Sequence, residues 1–395
     1  MRVLLLCDRY PDSYRDGLLL RVLHLARQMV DRHRFDLLCM HDGAVVGEPS
    51  TLFRRIWTVP HPPPRTGRSW RGPFTGWNPR ELYPLSSPAV RLLQRDIDPA
   101  DYDLVWDAGA SMLLHLPARW RAVPVVADLV DDMVLTFGRA IQQTPWSAER
   151  LRLMKYREVH RRFERDCMRR AAWCCVVSEE DAASFRAASR VPVRVVPNGV
   201  DTEFFAPDGA PEIPGRIVFE GSMSFLPNLQ AATFLVEHVM PRIWSVRPDV
   251  SLALVGRDPP ATLLALADER VKVTGSVDDV RPFVQQAQVF VCPLRSGAGI
   301  KNKLLQAWAM GKAVVATSVS VGGLGGADGQ NLLVRDDAQA LADGVLALLS
   351  DPGLRSRLGD AGRRLVCERL TWRAQAAAFE ALLSDAVAAG ARPAG

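Results

Sequence analysis

A cluster of lysines marks the stretch PLRSGAGIKNKLLQAWAMGKAVVATS, residues 293–318. The chain carries 49 Lys and Arg residues, but just five of them are Lys. Three of these five, Lys301, Lys303 and Lys312, fall within this one stretch. A compact ammonium and a flat guanidinium bind anions differently, so the local choice of Lys indicates a specific anionic ligand.

The residues around these lysines could hold a phosphate. Small residues at 297–299 let a ligand approach the backbone closely. A helix is predicted from Ile300 to Met310, and the first N–H groups of a helix carry a partial positive charge that suits a phosphate. Arg295 and Lys303 would add full charges on either side of the turn. A basic loop with Lys on a solvated helix face remains an alternative at this point.

Common phosphate-binding motifs are absent from the sequence. No Gly stands five residues before the Gly311–Lys312 pair, so there is no P-loop, and no GxGxxG pattern occurs. These absences count against a kinase, a P-loop NTPase and an ordinary dehydrogenase.

The elements that must position this stretch repeat a strand–helix pattern twice along 395 residues. Short apolar runs alternate with amphipathic segments, which predicts an α/β protein with two Rossmann-like, doubly wound domains. We predict a first domain at 1–205, a linker rich in Pro and Gly at 206–215, and a second domain at 216–370. The segment 371–386 and a flexible tail at 387–395 follow. Ligands of such sheets bind outside the carboxyl ends of the strands.

Bulk composition indicates a cytoplasmic protein. The net charge of +5 is mild, and the seven Cys residues form no CxxC pair, as expected of reduced thiols. No apolar run approaches the length of a membrane span. No RNA- or DNA-binding motif accompanies the charge, so a nucleic acid is not expected.

Several motifs together resemble retaining glycosyltransferases of the GT-B fold, family four. The resemblance is strongest to bacterial sugar transferases associated with exopolysaccharide loci. It is carried by GSMSFLPN (221–228), VTGSVDDVRPF (273–283), the stretch 293–318, GLLLRVLHL (17–25), WCCVVSEEDA (173–182), VPNGVDTEFF (197–205) and LTWRAQAAAFEALL (370–383).

This resemblance implies that a helix at 371–386 crosses back and completes the first domain. It also implies a nucleoside-diphosphate sugar as donor, a co-substrate bound with neither a metal nor a further cofactor. Arg295 and Lys303 would neutralise the leaving diphosphate, and Lys301 and Lys312 are expected to be solvated. The positions implied to bind the donor are Gly221, Val277, Arg295, Gly297, Ala298, Gly299, Ile300, Lys303 and Gln306.

Two departures from the family pattern concern this donor site. Most relatives have Glu at the position of Gln306, where it accepts hydrogen bonds from the ribose, and an amide accepts more weakly than a carboxylate. Many relatives also place an Arg and a Lys after the first strand of the second domain, whereas EGSMSFLPN supplies neither.

On the acceptor side the resemblance implies contacts from Gly17 and Arg21. The segment ADLVDDMV (127–134) leaves a strand with three carboxylates, and Asp131 is the residue we expect to orient or deprotonate the acceptor hydroxyl. An Asp that caps the following helix is the alternative.

The resulting expectation is retaining transfer of a sugar to a hydroxyl of a glycan, a lipid-linked acceptor or a small molecule. A nucleotide-sugar epimerase of the same fold and a catalytically weak nucleotide-sugar-binding partner protein stay open. The basic segment 150–170 and the Trp- and Arg-containing loop 61–88 suit peripheral contact with the inner membrane face. A solvated helix with ion pairs is the alternative for the basic segment.

Overall fold

A computed structural model describes residues 1–12, 17–62, 84–297 and 299–390. The chain divides into two compact units. The first unit runs from Met1 to Pro197 and takes up the chain again from Trp372, and the second is Asn198–Thr371. Ala298 and most of the predicted loop 61–88 lie outside the described residues.

The first unit is built on a seven-stranded sheet in the order β3-β2-β1-β4-β5-β6-β7, and its pairings are parallel. Its strands are β1 Arg2–Cys7, β2 Arg34–Met40, β3 Ile56–Val59, β4 Leu104–Ala108, β5 Val125–Asp128, β6 Trp173–Val176 and β7 Val193–Val195. Its helices are α1 Gly17–Met29, α2 Pro49–Leu52, α3 Ser87–Arg95, α4 Met133–Gln143, α5 Ala148–Arg162, α6 Glu179–Ala188 and α15 Trp372–Gly390. Helices are numbered along the chain, so α7 to α14 belong to the second unit.

Burial on both faces explains why the strands of this sheet are apolar runs. In β1, Val3 and Leu5 belong to one hydrophobic cluster, whereas Leu4 and Leu6 belong to another on the opposite face. Helices α1 and α15 pack against each other over the first of these faces. The chain therefore returns at its end to cover a core that its first strand begins.

The second unit is built on a six-stranded sheet in the order β10-β9-β8-β11-β12-β13, again with parallel pairings. Its strands are β8 Arg216–Glu220, β9 Ser251–Val255, β10 Val271–Val273, β11 Val289–Cys292, β12 Val314–Ala316 and β13 Leu333–Val334. Its helices are α7 Leu226–Phe234, α8 Met240–Trp244, α9 Ala261–Leu264, α10 Arg281–Gln285, α11 Asn302–Ala309, α12 Ser318–Val321, α13 Ala338–Ser350 and α14 Pro352–Arg369. Two parallel-sheet α/β units confirm the predicted fold class.

The predicted linker 206–215 lies along the second unit. Gln285 donates from its side chain to the carbonyl of Ala206 at 2.7 Å, and the N–H of Ile213 donates to the carbonyl of Gln286 at 2.8 Å. Residues before it also belong to this unit, since Val200 forms a bridge with Thr371. The boundary between the units is thus after Pro197, eight residues before the predicted one, because backbone hydrogen bonds and not Pro and Gly content decide it.

The helical stretches that begin with α5 and α7 each contain a π-helical turn. Phe163–Cys167 forms one after α5, and Leu235–Val239 forms the other between α7 and α8. A π turn inserts one residue into the helical ladder and re-aims the side chains beside it, and such turns are frequent at functional sites. Hydrophobic periodicity alone did not predict them.

Candidate active site

Lys303, in the first turn of α11, directs its amine to the carboxyl end of β8. The amine donates to the backbone carbonyl of Glu220 at 2.6 Å and to the side-chain oxygen of Asn228 at 2.8 Å. It also lies 4.6 Å from the centroid of the Phe219 ring. An ammonium has three N–H donors, and the described residues supply two hydrogen-bond acceptors for it. One donor remains for an anion.

Charge and burial oppose each other at this amine. Desolvation lowers the pKa of Lys303, and the Glu220 carboxylate opposes that shift. Burial in turn raises the pKa of the Glu220 carboxyl, and Lys303 opposes it. An incoming phosphate would favour the charged form of Lys303, because an opposite charge nearby stabilises an ammonium.

The absence of a side chain at Gly221 leaves room for this amine. A Cβ built at Gly221 would collide with the amine of Lys303 and would lie 2.8 Å from the amide nitrogen of Asn228. Gly221 also has a φ of 155°. The strand end, the lysine and the asparagine therefore fit together only around glycine.

The loop after β11 supplies the other predicted donor-binding residues. Gly297 and Gly299 have φ values of 102° and 69°, in the region that favours glycine. Arg295 is exposed, with its guanidinium carbon 5.0 Å from the centroid of the Phe234 ring. The following helix begins at Asn302, two residues later than predicted, and Lys301 precedes it with its amine 3.0 Å from the carbonyl of Gly299.

The remaining donor-side predictions are placed as follows. Ile300 and Val277 are partly buried against the core of the second unit, and Gln306 is partly exposed on α11. The prediction for Ala298 falls outside the described residues. Lys312 is a correction: it is buried, and its amine donates to Glu212 at 2.9 Å and to the carbonyl of Gln285 at 2.6 Å.

Two residues missed in the sequence complete the surroundings of Lys303. Asn228 lies in the quoted motif GSMSFLPN, and its amide holds the loop by donating to the carbonyl of Ser222 at 2.9 Å. Arg257 follows β9 and donates to the hydroxyl of Ser222 at 3.3 Å. A basic side chain thus reaches the loop after β8 from the neighbouring strand. The motif after β8 contains no basic residue, and the pairing of β8 with β9 brings Arg257 beside it.

In the first unit Arg21 has a structural position, which corrects its predicted contact with an acceptor or phosphate. Its side chain is 0% exposed, and its Nε lies 3.0 Å from both carboxylate oxygens of Asp128. A further guanidinium nitrogen donates to the carbonyl of Val196 at 2.9 Å. Arg21 therefore joins α1 to the ends of β5 and β7 inside the unit.

The three carboxylates that follow β5 have separate positions. Asp128 is paired with Arg21, and Asp132 is the N-cap of α4, where it accepts from the N–H of Leu135 at 2.8 Å. Asp131 is exposed and borders a cavity. The helix-capping role considered for Asp131 thus belongs to its neighbour, and Asp131 is the exposed carboxylate of the three.

This first-unit cavity has a volume of about 280 Å³ and lies within the first unit. Gly17 and Asp131, both predicted on the acceptor side, line it together with Ser111, His160 and Glu164. No motif in the sequence marks Ser111 or Glu164 as functional. Glu164 is the one buried acid of the segment 150–170, and the many basic residues around it in sequence give no sign of this burial.

Within the described residues, no group of three or more His, Cys, Asp or Glu side chains is arranged to hold a metal ion. Across that same part of the chain, none of the helices combines the length and the apolar character needed to cross a membrane.

Two family models match the two halves of the chain. The model described as Glycosyltransferase Family 4 matches residues 15–204, and the model described as Glycosyl transferases group 1 matches residues 214–351. The first unit is a family 4 glycosyltransferase domain and the second is a group 1 domain. The pair of domains is that of GT-B glycosyltransferases, as the sequence motifs predicted.

Curated relatives align with part of the chain. A phosphatidyl-myo-inositol mannosyltransferase of Mycobacterium tuberculosis is 30% identical over 216 residues, which are 50% of this chain and 55% of that protein. An alpha-maltose-1-phosphate synthase of the same species is 32% identical over 213 residues, 46% of this chain and 53% of that protein. The chain thus spans about half the length of these relatives.

Solved structures share the fold over nearly the whole chain. Sucrose-phosphate synthase from Thermosynechococcus elongatus superposes with a TM-score of 0.73 at 19% identity, covering 98% of this chain and 100% of that one. HepE from Anabaena in complex with UDP-glucose superposes with a TM-score of 0.68 at 16% identity, covering 97% and 99%. At these identities the likeness establishes the fold alone.

The structural role of Arg21 in the family 4 domain can be tested by stability. Replacing Arg21 with Ala leaves the Asp128 carboxylate buried without its partner, which should lower the free energy of unfolding by about 3–5 kcal/mol. Guanidinium-induced unfolding followed by tryptophan fluorescence measures this loss. Arg2→Ala is the control, since Arg2 and Asp103 form a solvent-exposed pair and its removal should be silent. An Arg21→Ala protein as stable as the wild type would contradict this assignment.

Proposed function

We propose that this protein is a retaining, metal-independent glycosyltransferase that uses a nucleoside-diphosphate sugar. The group 1 domain binds the donor, and the sugar passes to a hydroxyl of a glycan, a lipid-linked acceptor or a small molecule. The observation that carries the proposal is the position of the Lys303 amine, which is held at the end of β8 by two acceptors. Its third N–H group has no acceptor among the described residues. HepE, a neighbour in fold, is described in complex with UDP-glucose, which agrees with this donor class.

The group 1 domain offers a diphosphate several donors without a metal. Lys303 and Arg257 reach the loop after β8, and Arg295 leaves the loop after β11. The first turn of α11 adds backbone N–H groups, whose partial positive charge favours an anion. Fixed charges of this kind stabilise a leaving diphosphate without reorganising during the reaction, which is where electrostatic catalysis is most effective.

The transfer itself breaks the bond between the sugar's anomeric carbon and the diphosphate and forms a bond from that carbon to the acceptor oxygen. The acceptor proton passes to the departing phosphate, so that both events occur on one face of the sugar and the configuration is retained. Asp131, exposed at the edge of the first-unit cavity, is the proposed residue that orients the acceptor hydroxyl.

We further propose a cytoplasmic location with peripheral contact at the inner membrane face, through α5 and the residues before it. Trp146 is 74% exposed and Leu151 is 53% exposed, and Arg150 and Arg152 stand beside them. Apolar side chains among basic ones suit an anionic lipid surface. Flotation with phosphatidylglycerol vesicles tests this, and a protein that stays with the soluble fraction at low salt would contradict it.

Removal of the Lys303 amine tests the donor site. Calorimetric titration of UDP, GDP, ADP, dTDP and CDP without metal should identify one nucleotide that binds. Lys303→Met should then weaken that binding by about 10- to 150-fold, because a hydrogen bond to a charged group contributes about 1.5–3 kcal/mol.

Lys272→Met provides the matched control. Lys272 is an exposed lysine of the same domain, on β10 and away from the loop after β8, so its loss should leave nucleotide affinity unchanged. Equal effects of the two substitutions, or binding of no nucleotide at millimolar concentration, would contradict the proposed donor site.

Gln306 favours the alternative that the protein is catalytically weak. The substitution Gln306→Glu distinguishes this alternative from an active transferase. If the site is adapted to an amide, Gln306→Glu should change nucleotide affinity and turnover of the donor by less than about threefold. A large rise in both would instead show that the wild-type site has lost function. Isothermal titration and release of nucleoside diphosphate measure the two quantities in parallel.

A further inference from the structure

Glu164 is an acid buried at the wall of the first-unit cavity. It is 6% exposed, and its Oε2 has no hydrogen-bond partner among the described residues. It lies on the π-helical turn Phe163–Cys167, which follows α5 and turns this side chain into the unit. A buried polar atom without a partner is costly, so such an atom beside a cavity indicates a ligand that completes it.

Ser111 repeats this feature on the same cavity. It is 7% exposed, and its hydroxyl has no hydrogen-bond partner among the described residues. Ser111 follows β4 and comes after Gly109 and Ala110, which both have positive φ values, 82° and 57°. Two separate segments of the chain therefore place unsatisfied polar atoms at the wall of one cavity of about 280 Å³.

The surroundings of Glu164 keep its carboxyl uncharged at neutral pH. Burial raises the pKa of Glu164 to about 8, and the neighbouring Asp132 carboxylate adds to the rise. Asp131 lies on the same cavity, as do Asp8 and Arg9, which pair with each other at 3.3 Å. His160 is neutral as well, because burial lowers its pKa to about 4.

Burial and the Asp132 carboxylate are the causes of this rise, and no cation among the described residues opposes it. Helix α6 carries Asp181, which accepts from the hydroxyl of Ser178 at 2.6 Å, and Glu180, which pairs with Arg139. Burial raises the pKa of the Cys174 thiol of β6 well above its usual value, and the nearby Glu164 carboxyl adds to this rise. An uncharged carboxyl both donates and accepts hydrogen bonds, as a sugar hydroxyl does.

Resting on the proposed glycosyl transfer, we propose that Glu164 and Ser111 select the acceptor by hydrogen-bonding the hydroxyls of an uncharged sugar or cyclic polyol in this cavity. Glu164 donates from its carboxyl to one hydroxyl oxygen, and Ser111 bonds another. The cavity volume is suited to one ring of this size. Asp131, on the same wall, then meets the hydroxyl that receives the transferred sugar.

The proposal predicts how affinity changes with pH. A ring hydroxyl that accepts a hydrogen bond from the Glu164 carboxyl stabilises its uncharged form, so the pKa of Glu164 is higher in the complex than in the free protein. Affinity must then fall as the pH rises through 8. A ligand that instead favoured the carboxylate would bind more tightly at high pH.

The experiment is a saturation-transfer NMR titration of the full chain with myo-inositol, methyl α-mannopyranoside and methyl α-glucopyranoside at pH 7 and pH 9. At least one probe should bind to the wild type at pH 7, about tenfold more weakly at pH 9, and more tightly than methyl β-glucuronide, which is anionic. Glu164→Gln retains a donor that does not titrate, so it should bind at both values within about threefold of the wild type at pH 7. Glu164→Ala should bind about tenfold more weakly at both.

Two further variants separate this role from a structural one. Ser111→Ala should weaken binding severalfold and keep the fall between pH 7 and 9. Glu149→Gln, an exposed acid at the start of α5, should behave as the wild type. The inference is overturned if none of the three probes binds at about 100 mM, if Glu164→Gln behaves as Glu164→Ala, or if affinity rises with pH. Nucleotide binding by the group 1 domain needs neither residue, so failure here and failure of the proposed transfer are distinguishable.

Discussion

The rest of the proposed donor site depends on one partly buried ammonium. Lys303 is held at the end of β8 by a backbone carbonyl and by Asn228, so its charge is fixed in place before any ligand arrives. Desolvation opposes this arrangement by lowering the pKa of the amine, and an anionic ligand relieves the opposition. In the proposed donor site, this desolvation favours an anionic ligand such as a diphosphate, and the absence of a side chain at Gly221 leaves room for the amine.

The first unit shows the opposite use of a buried cation. Arg21 and Asp128 form an ion pair inside the unit, with both side chains 0% exposed. Paired charges of this kind are costly to break and fix how α1 meets the sheet. Two of the groups left with unsatisfied atoms among the described residues, Glu164 and Ser111, line the first-unit cavity instead. The proposed acceptor site rests on their coming from separate segments to one cavity.

The sequence was sufficient for the fold class because apolar runs and amphipathic segments report burial directly. It placed Lys303 and the glycine-rich loop together because they lie within a few residues of one another. It did not predict the contributions of Asn228 and Arg257, since these depend on strands β8 and β9 lying side by side. Arg21 was assigned to a ligand because a single basic residue on an amphipathic helix carries no sign of a partner 107 residues away. Glu164 was missed because a π turn sets its direction.

The central claim is that fixed cations of the group 1 domain, and no metal, hold the donor's diphosphate. The most direct measurement compares the affinity of the nucleotide that binds with that of its monophosphate, each with EDTA and with magnesium. The account predicts that the diphosphate binds at least about tenfold more tightly than the monophosphate and that EDTA changes neither affinity. Equal affinities for the two nucleotides, or binding that requires magnesium, would contradict it.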